Sequence, residues 1–237
     1  MKKFRFPEEG DVAEDIRERY GFDGDLLDIY AGNREVKVHK WHHYIPIYDR
    51  YFAAWRGRPL RFLEIGVNNG GSLQMWRRYF GDQATLFGID INPDCAQYDG
   101  QSGQVRIGSQ DDAGFLSAVV DEMGGVDIVL DDGSHRMGHI DASLRALFPR
   151  LEMGGIYMIE DLHTAYYPRF GGGLDERGNF FNTVRDMIDD MHMWYHGQRP
   201  LKLRELRRQF GGIHIHDSIV VIDKASVQRP THSRVQK

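Results

Sequence analysis

Two acid–histidine clusters carry the chemistry this sequence offers. Asp131-Asp132-Gly133-Ser134-His135 follows the apolar run Val126–Leu130, and Glu160-Asp161-Leu162-His163 follows Gly155–Ile159. Short apolar runs bounded by turn residues read as buried strands. Each cluster therefore stands at the carboxyl end of a strand, where α/β sheets bind their ligands. Neighbouring strands lie about 4.8 Å apart, so carboxylates at two adjacent strand ends would repel one another unless they share a cation. A hard divalent ion with oxygen ligands meets that need: Mg2+, with Mn2+ able to substitute. Successive residues of an ideal strand point to opposite faces. Glu160 and Asp161 can thus serve one ion only where the chain already bends into a loop.

A second constellation precedes these. Phe62–Ile65 is an apolar run that ends in Gly66-Val67-Asn68-Asn69-Gly70-Gly71-Ser72, and the next run, Phe87-Gly88-Ile89, ends in Asp90. A glycine turn between strand and helix lets a ligand approach the backbone, and an acid closing the next strand can take both hydroxyls of a ribose. A dinucleotide fingerprint requires G-x-G-x-x-G. Here the spacing is Gly66-x-x-x-Gly70-Gly71, with Glu64 two residues before the first glycine, which departs from the nicotinamide pattern.

The elements that must position these groups alternate. Leu60–Gly66, Thr85–Asp90, Val126–Leu130 and Gly155–Ile159 read as strands. Leu73–Phe80, Phe115–Val120 and Ile140–Leu151 read as helices between them. Such alternation describes βαβ units and a parallel sheet. Asn182–Trp194 reads as a further helix, and Ile213–His216 with Ser218–Ile222 as two closing strands. Upstream, Val12, Ile16 and Tyr20 mark a short amphipathic helix over 11–20 within an acidic leader. Tyr44, Tyr48 and Tyr51-Phe52 mark an aromatic helix face in 40–55. We expect one α/β domain over 58–223, a helical leader and cap over 1–57, and a flexible tail over 224–237.

Composition bounds the remaining choices. The chain has 237 residues, with 30 basic against 35 acidic side chains, so a large nucleic-acid footprint is not expected. Its one cysteine, Cys95, excludes an intrachain disulfide and a cysteine-based zinc site. No apolar run approaches the ~20 residues of a membrane span, and the first nine residues lack the apolar core of a signal peptide. The cytoplasm is the expected compartment and a homo-oligomer the expected assembly.

The run Glu64-x-Gly66-x-x-x-Gly70, followed by Asp90, resembles the first motifs of the class I S-adenosylmethionine-dependent methyltransferases. That family has a Rossmann-like, mostly parallel seven-stranded sheet with helices on both faces. The resemblance implies that Gly66, Gly70 and Gly71 lie near the methionine part of S-adenosyl-L-methionine, with Glu64, Asn68 and Ser72 in the same loop. It further implies that Asp90 holds the ribose, that Ser109, Gln110 and Asp111 contact the adenine, and that Asp131 positions the cofactor or bonds loop amides.

The paired motifs Asp-Asp-Gly-Ser-His and Glu-Asp-Leu-His, with Lys40-Trp-His-His-Tyr44 and Arg50-Tyr-Phe52 upstream, narrow the resemblance. Over roughly 38–168 the chain is similar to the metal-dependent sugar O-methyltransferases of the mycinamicin and rhamnosyl type. By that resemblance Asp132, Glu160 and Asp161 ligate Mg2+, His135 is the general base, and His163 supports it. His43, Tyr166 and Tyr167 would meet a glycosylated small molecule or glycan. A catechol-type O-methyltransferase, a cephalosporin-hydroxylase-like enzyme and a non-catalytic cofactor-binding protein are the alternatives.

Three other features are expected to be structural or peripheral. His39, His42 and His43 would cap the site, the basic run Lys202–Arg208, with Leu201, Leu203 and Leu206 between its charges, would form a solvated helix face, and His214 and His216 would pack on a strand.

Overall fold

The computed structural model describes residues 6–7, 9–196 and 203–235. The leader forms α1 (Val12–Tyr20) and α2 (Asp25–Ala31). Asp11 caps α1 by accepting hydrogen bonds from the amides of Ala13 and Glu14, a contact worth about 1 kcal/mol. The second helix is not apparent in the sequence, because seven residues are too few to show a period. Its Leu26 and Leu27 are nonetheless fully buried, as is Ile16 of α1. The leader is acidic on its outside and belongs to the core on its inside. The aromatic segment forms α3 (Tyr44–Phe52), with Pro46 in its first turn, where a missing amide costs nothing.

Then come β1 (Leu60–Ile65), α4 (Gly71–Phe80), β2 (Ala84–Asp90), β3 (Gln104–Ile107), α5 (Ala113–Met123), β4 (Val126–Asp131), α6 (Met137–Leu147) and β5 (Leu151–Ile159). The helix expected over 140–151 starts and stops earlier. Pro149 cannot continue an α-helix and disfavours it at the residue before, so 148–150 tightens into a 3₁₀ turn and Leu151 already opens β5. The helix expected over 182–194 is α7 (Phe180–Met191), capped by the Asn179 side chain and broken at His192 before the short α8 (Met193–His196). Of the expected basic helix, Leu201 and Lys202 lie outside the described residues. The remainder is a single 3₁₀ turn at Arg204–Leu206, with Leu203 and Leu206 buried. The chain closes with β6 (Phe210–His216) and β7 (Ile219–Lys224). Lys224 is buried within β7, where it donates to the carbonyls of Phe148 and Pro149 at 2.7 and 3.0 Å.

The seven strands form one sheet in the order β3-β2-β1-β4-β5-β7-β6, and β7 alone runs against its neighbours. Side chains alternate across it, as strand geometry demands. Leu63, Ile65, Tyr157 and Ile159 enter a core shared with α5, α6 and α7. Phe62, Ile156 and Met158 enter a second core with α1 to α4, dominated by Trp76, Tyr48, Phe52 and Phe80. This is the class I, Rossmann-like methyltransferase architecture. Strand order reverses beside β1, and the ends of β1, β2, β4 and β5 open on the same side, as a switch-point site requires. The neighbour expected for the acid clusters is present: β4 pairs with β5 in parallel, Asp131 opposite Ile159. No helix among the described residues is long and apolar enough to cross a membrane.

Candidate active site

A cavity of about 640 Å³ lies over these strand ends. Its cofactor-like end is made of backbone. Gly66 turns the chain at φ +101°, and a Cβ there would stand 2.2 Å from the carbonyl oxygen of Asp132. Only glycine permits that approach. Gly70 is also left-handed, at φ +75°, and faces the Tyr98 ring. Asp90 fastens the loop: one carboxylate oxygen accepts from the amides of Val67 and Asn68 at 3.0 and 2.9 Å, and the other from Asn92 at 2.8 Å. Gly66, Asn68, Ser72, Asp90, Ser109 and Gln110 all line the cavity.

Glu64, Gly70, Asp111 and Asp131 stand outside that lining. Glu64 lies beneath the floor, fully buried, accepting from Ser72 Oγ at 2.8 Å and Trp76 Nε1 at 3.1 Å. Burial pushes its carboxyl up to about 7, although Lys40 pulls the other way. Asp131 is buried among Ser143, Gln110 and Tyr157, and burial raises its carboxyl above the ordinary range. It orients Gln110, whose carbonyl oxygen in turn accepts the Ser134 amide at 2.7 Å. Asp111 is tied to Ser109 and faces His139 at 3.6 Å.

The other end is made of side chains. The chain bends after β5, and Asp161 adopts φ +59°, ψ +29°. That bend turns Asp161 toward Asp132 and resolves the alternation problem of two successive acids. His135, at φ +55°, is left-handed as well. Non-glycine residues held this way carry strain that the surroundings must overcome, and they cluster at functional sites. His135 Nε2 stands 3.8 Å from Asp132 Oδ1 and 3.7 Å from Asp161 Oδ2. The ligand atoms of Asp132, His135 and Asp161 all fall within 4.8 Å of one another.

Glu160 lines the same cavity but is gripped from behind. Lys40 and Tyr48 each donate to one of its oxygens. Burial lifts its carboxyl to about 7, against the pull of Lys40. Lys40 also donates to Asp132 Oδ2 at 2.6 Å. Burial alone would lower the Lys40 ammonium, but Asp132, Glu160 and Glu64 outweigh it and hold it well above its usual value. Tyr44 donates its hydroxyl to Asp161 Oδ1 at 2.7 Å.

The remaining candidates surround the mouth. His163 Nδ1 pairs with Ser218 Oγ at 2.7 Å and lies 3.9 Å from Asp161 Oδ1, outside the cavity lining. Its ring meets those of Trp41 and Tyr167 edge-on. His43 packs among Tyr20, Trp41 and Tyr44, and burial lowers its imidazole. Tyr166 is exposed against Phe181. Neither His43, Tyr166 nor Tyr167 lines the cavity, whereas Trp41 and His39 do. His42 is turned away to Asp15 of α1, at 2.7 Å. His214 and His216 are structural, bonded to Asp223 and Tyr51.

Lys40, Trp41, Tyr44 and Tyr48 are the site residues that reading the sequence by itself did not single out. Their signals were that the run Lys40-Trp-His-His-Tyr44 accompanied the acid motifs, and that Tyr44 and Tyr48 share the aromatic face of one helix.

Residues 63–162 match a family profile described as a methyltransferase domain. The sheet around these residues has the class I methyltransferase fold. The chain's relatives are more particular. It is 38% identical over 213 residues to the 8-demethyl-8-(2-methoxy-α-L-rhamnosyl)-tetracenomycin-C 3'-O-methyltransferase of Streptomyces olivaceus, an alignment covering 85% of this chain and 54% of that one. It is 35% identical over 214 residues to the mycinamicin VI 2''-O-methyltransferase of Micromonospora griseorubida, covering 84% and 52%. The solved structure of MycE methyltransferase from the mycinamycin pathway, in complex with Mg, SAH and mycinamycin VI, superposes with a TM-score of 0.72 at 31% identity, over 92% of this chain and 54% of that one. The chain thus spans about half the length of the curated relatives it matches.

Proposed function

We propose that this protein transfers a methyl group from S-adenosyl-L-methionine to a hydroxyl of a sugar carried by a small molecule or glycan, with Mg2+ as the metal. The observation that carries this reading is the convergence of Asp132, His135 and Asp161 on one point of the cavity whose other end is the Gly66–Asp90 loop. The relatives' named activities on rhamnosyl and macrolide sugars, and the Mg and SAH in the MycE complex, support it. Segment 1–57 serves as a cap, the catalytic domain runs from 58 through Lys224, the buried last residue of β7, and the residues after it form a tail. The single cysteine fits a cytoplasmic setting.

The residues present fit a hard divalent ion, because the group converging within 4.8 Å holds two carboxylates, with the His135 imidazole beside them and no thiolate. Asp132 and Asp161 would hold it, with Glu160 on the same cavity wall bound by Lys40 and Tyr48. Such an ion would supply Lewis acidity, making a sugar hydroxyl a better nucleophile at neutral pH. The floor also fits S-adenosyl-L-methionine: Gly66 keeps the backbone open, and Asp90 faces the cavity beside it.

The protein's own groups do the rest. Asp132 and Asp161 fix the acceptor end, and the glycine loop fixes the methyl donor. The acceptor oxygen forms its bond to the methyl carbon as the carbon–sulfur bond breaks. His135 Nε2 stands where it can accept the hydroxyl proton. Holding both reactants in line can contribute up to ~7–11 kcal/mol. His163 and Trp41 shape the mouth.

The test is to incubate the purified chain with S-adenosyl-L-methionine, Mg2+ and a panel of rhamnosylated and macrolide glycosides, and to follow the products by mass spectrometry. Gain of one CH2 on the sugar is the expected result. Methylation of a simple catechol with no sugar product would overturn the acceptor assignment, and cofactor binding without any turnover would overturn the enzyme.

A further inference from the structure

Each acid of the converging pair is held by one oxygen and left free by the other. Lys40 takes Asp132 Oδ2, and Tyr44 takes Asp161 Oδ1. The oxygens left over, Asp132 Oδ1 and Asp161 Oδ2, are the two that face His135 Nε2, at 3.8 and 3.7 Å. Both donors come from the segment at the start of α3, far from either acid in sequence. Lys40 is almost entirely enclosed, with 3% of its side chain exposed. Tyr44 is buried too, wedged between His43 and Tyr48.

We infer that Lys40 and Tyr44 are positioning residues for the divalent ion: they rotate Asp132 and Asp161 so that one oxygen of each points at a common site. The inference rests on the metal reading given above. Its physical basis is that an isolated carboxylate rotates freely about its last bond, so a ligand pair is preorganised only if something holds the distal oxygens. Two donors from one rigid segment do so with a single packing arrangement. The segment itself is anchored. Tyr48, one turn after Tyr44, grips Glu160 and packs against Trp76 and Phe52. The carbonyl of Lys37 lies so close to Gly71 that a Cβ there would approach it to 2.3 Å. The same stretch therefore touches the floor of the cofactor end and orients the acids of the other end. Partners that orient metal ligands typically carry ~10–100-fold in metal affinity.

The experiment is Mn2+ binding to the full chain, followed by electron paramagnetic resonance without acceptor or S-adenosyl-L-methionine. Tyr44→Phe removes one hydroxyl and keeps the ring. It should weaken Mn2+ binding ~10–100-fold, with cofactor affinity and thermal midpoint close to those of the parent. Lys40→Met should weaken binding as well. Tyr79→Phe is the control, because it removes an equally buried hydroxyl that bonds Asp49 on α3 at 2.7 Å, away from the cavity. It should leave Mn2+ binding unchanged.

If the parent binds Mn2+ and Tyr44→Phe binds it equally well, the inference fails while the metal reading stands. An affinity loss in Tyr79→Phe as large as that in Tyr44→Phe would reduce the effect to the packing of α3 and overturn it too. Tighter binding in Lys40→Met would make Lys40 a competitor of the ion, which is the opposite role. Absence of Mn2+ binding by the parent itself would overturn the metal reading on which the inference rests.

Discussion

The two ends of the cavity are built from different materials. At the cofactor-like end, glycine backbone and loop amides do the work: Gly66 lets the chain pass the Asp132 carbonyl, and Asp90 collects three amides from the loops around it. Apart from the Asp132 carbonyl after β4, all of this comes from the ends of two consecutive strands, β1 and β2. At the acid end, side chains from four separate stretches meet: Lys40, Tyr44 and Tyr48; Asp132 and His135; Glu160, Asp161 and His163; and Ser218 at the β6–β7 turn. A glycine turn needs little beyond its own residues to form. A cluster of buried acids needs the whole fold around it, because each carboxylate out of water must find a donor or a cation.

That contrast can be broken at several points. Removal of divalent ions with EDTA should abolish turnover, and Mg2+ or Mn2+ should restore it, while cofactor affinity measured by calorimetry stays the same. Full turnover in excess chelator would make the acid end a hydrogen-bonding cluster only. Next in size, His135→Ala should lower kcat by ~10²–10⁴, the range for a positioned proton acceptor, again without changing cofactor affinity. His163→Ala should cost less, because Ser218 holds that ring outside the cavity lining. The reverse ranking of the two histidines would exchange their roles.

At the opposite end, Asp90→Ala should weaken S-adenosyl-L-methionine binding by ~1.5–3 kcal/mol, roughly one to two orders of magnitude, and leave Mn2+ binding alone. Calorimetry showing an unchanged dissociation constant would remove Asp90 from the ribose. Gly66→Ala is the substitution that should cross the divide. Its Cβ would meet the Asp132 carbonyl, and its φ would cost an alanine ~1–3 kcal/mol. It should lower the thermal midpoint and impair both cofactor and Mn2+ binding. Loss of cofactor binding alone would show that the two ends are less tightly coupled than their contact suggests.

The smallest expected effect is a pH dependence under the floor. The Glu64 carboxyl lies at about 7 in the folded protein, against 4.5 as its ordinary value. The folded state thus keeps a proton that the unfolded chain releases between those values, so Glu64's contribution to stability falls as pH rises through that window. Glu64→Gln has no proton to lose. The melting temperature of the variant minus that of the parent should therefore increase from about pH 5 to pH 7. A flat difference would mean that Lys40 keeps Glu64 ionised throughout.

The difference between the two ends also marks what could be read from the chain. The βαβ order, the parallel sheet, the glycine turn, Asp90 and the placement of both acid clusters at strand ends are local statements. Apolar period, glycine spacing and strand-terminal acids encode them within a few residues each, and the sheet obeys them. The limits of individual elements were less legible. Pro149 ends α6 before the apolar pattern does, and α2 is too short to show a period, although its two leucines are buried.

What the sequence determined by itself was the class of fold and which acids and histidines could do chemistry. Tertiary structure alone decided which of them meet, and by which atom. It lifted Glu64 and Asp131 out of the cavity into buried hydrogen bonds, and drew His163 back to Ser218. It also turned Asp161 into a left-handed bend that faces His135, and brought Lys40 and Tyr44 across the chain onto the acids. The reason is physical. Periodicity and turn chemistry act over neighbouring residues, whereas the donor that a buried carboxylate requires can come from anywhere the packed core delivers one.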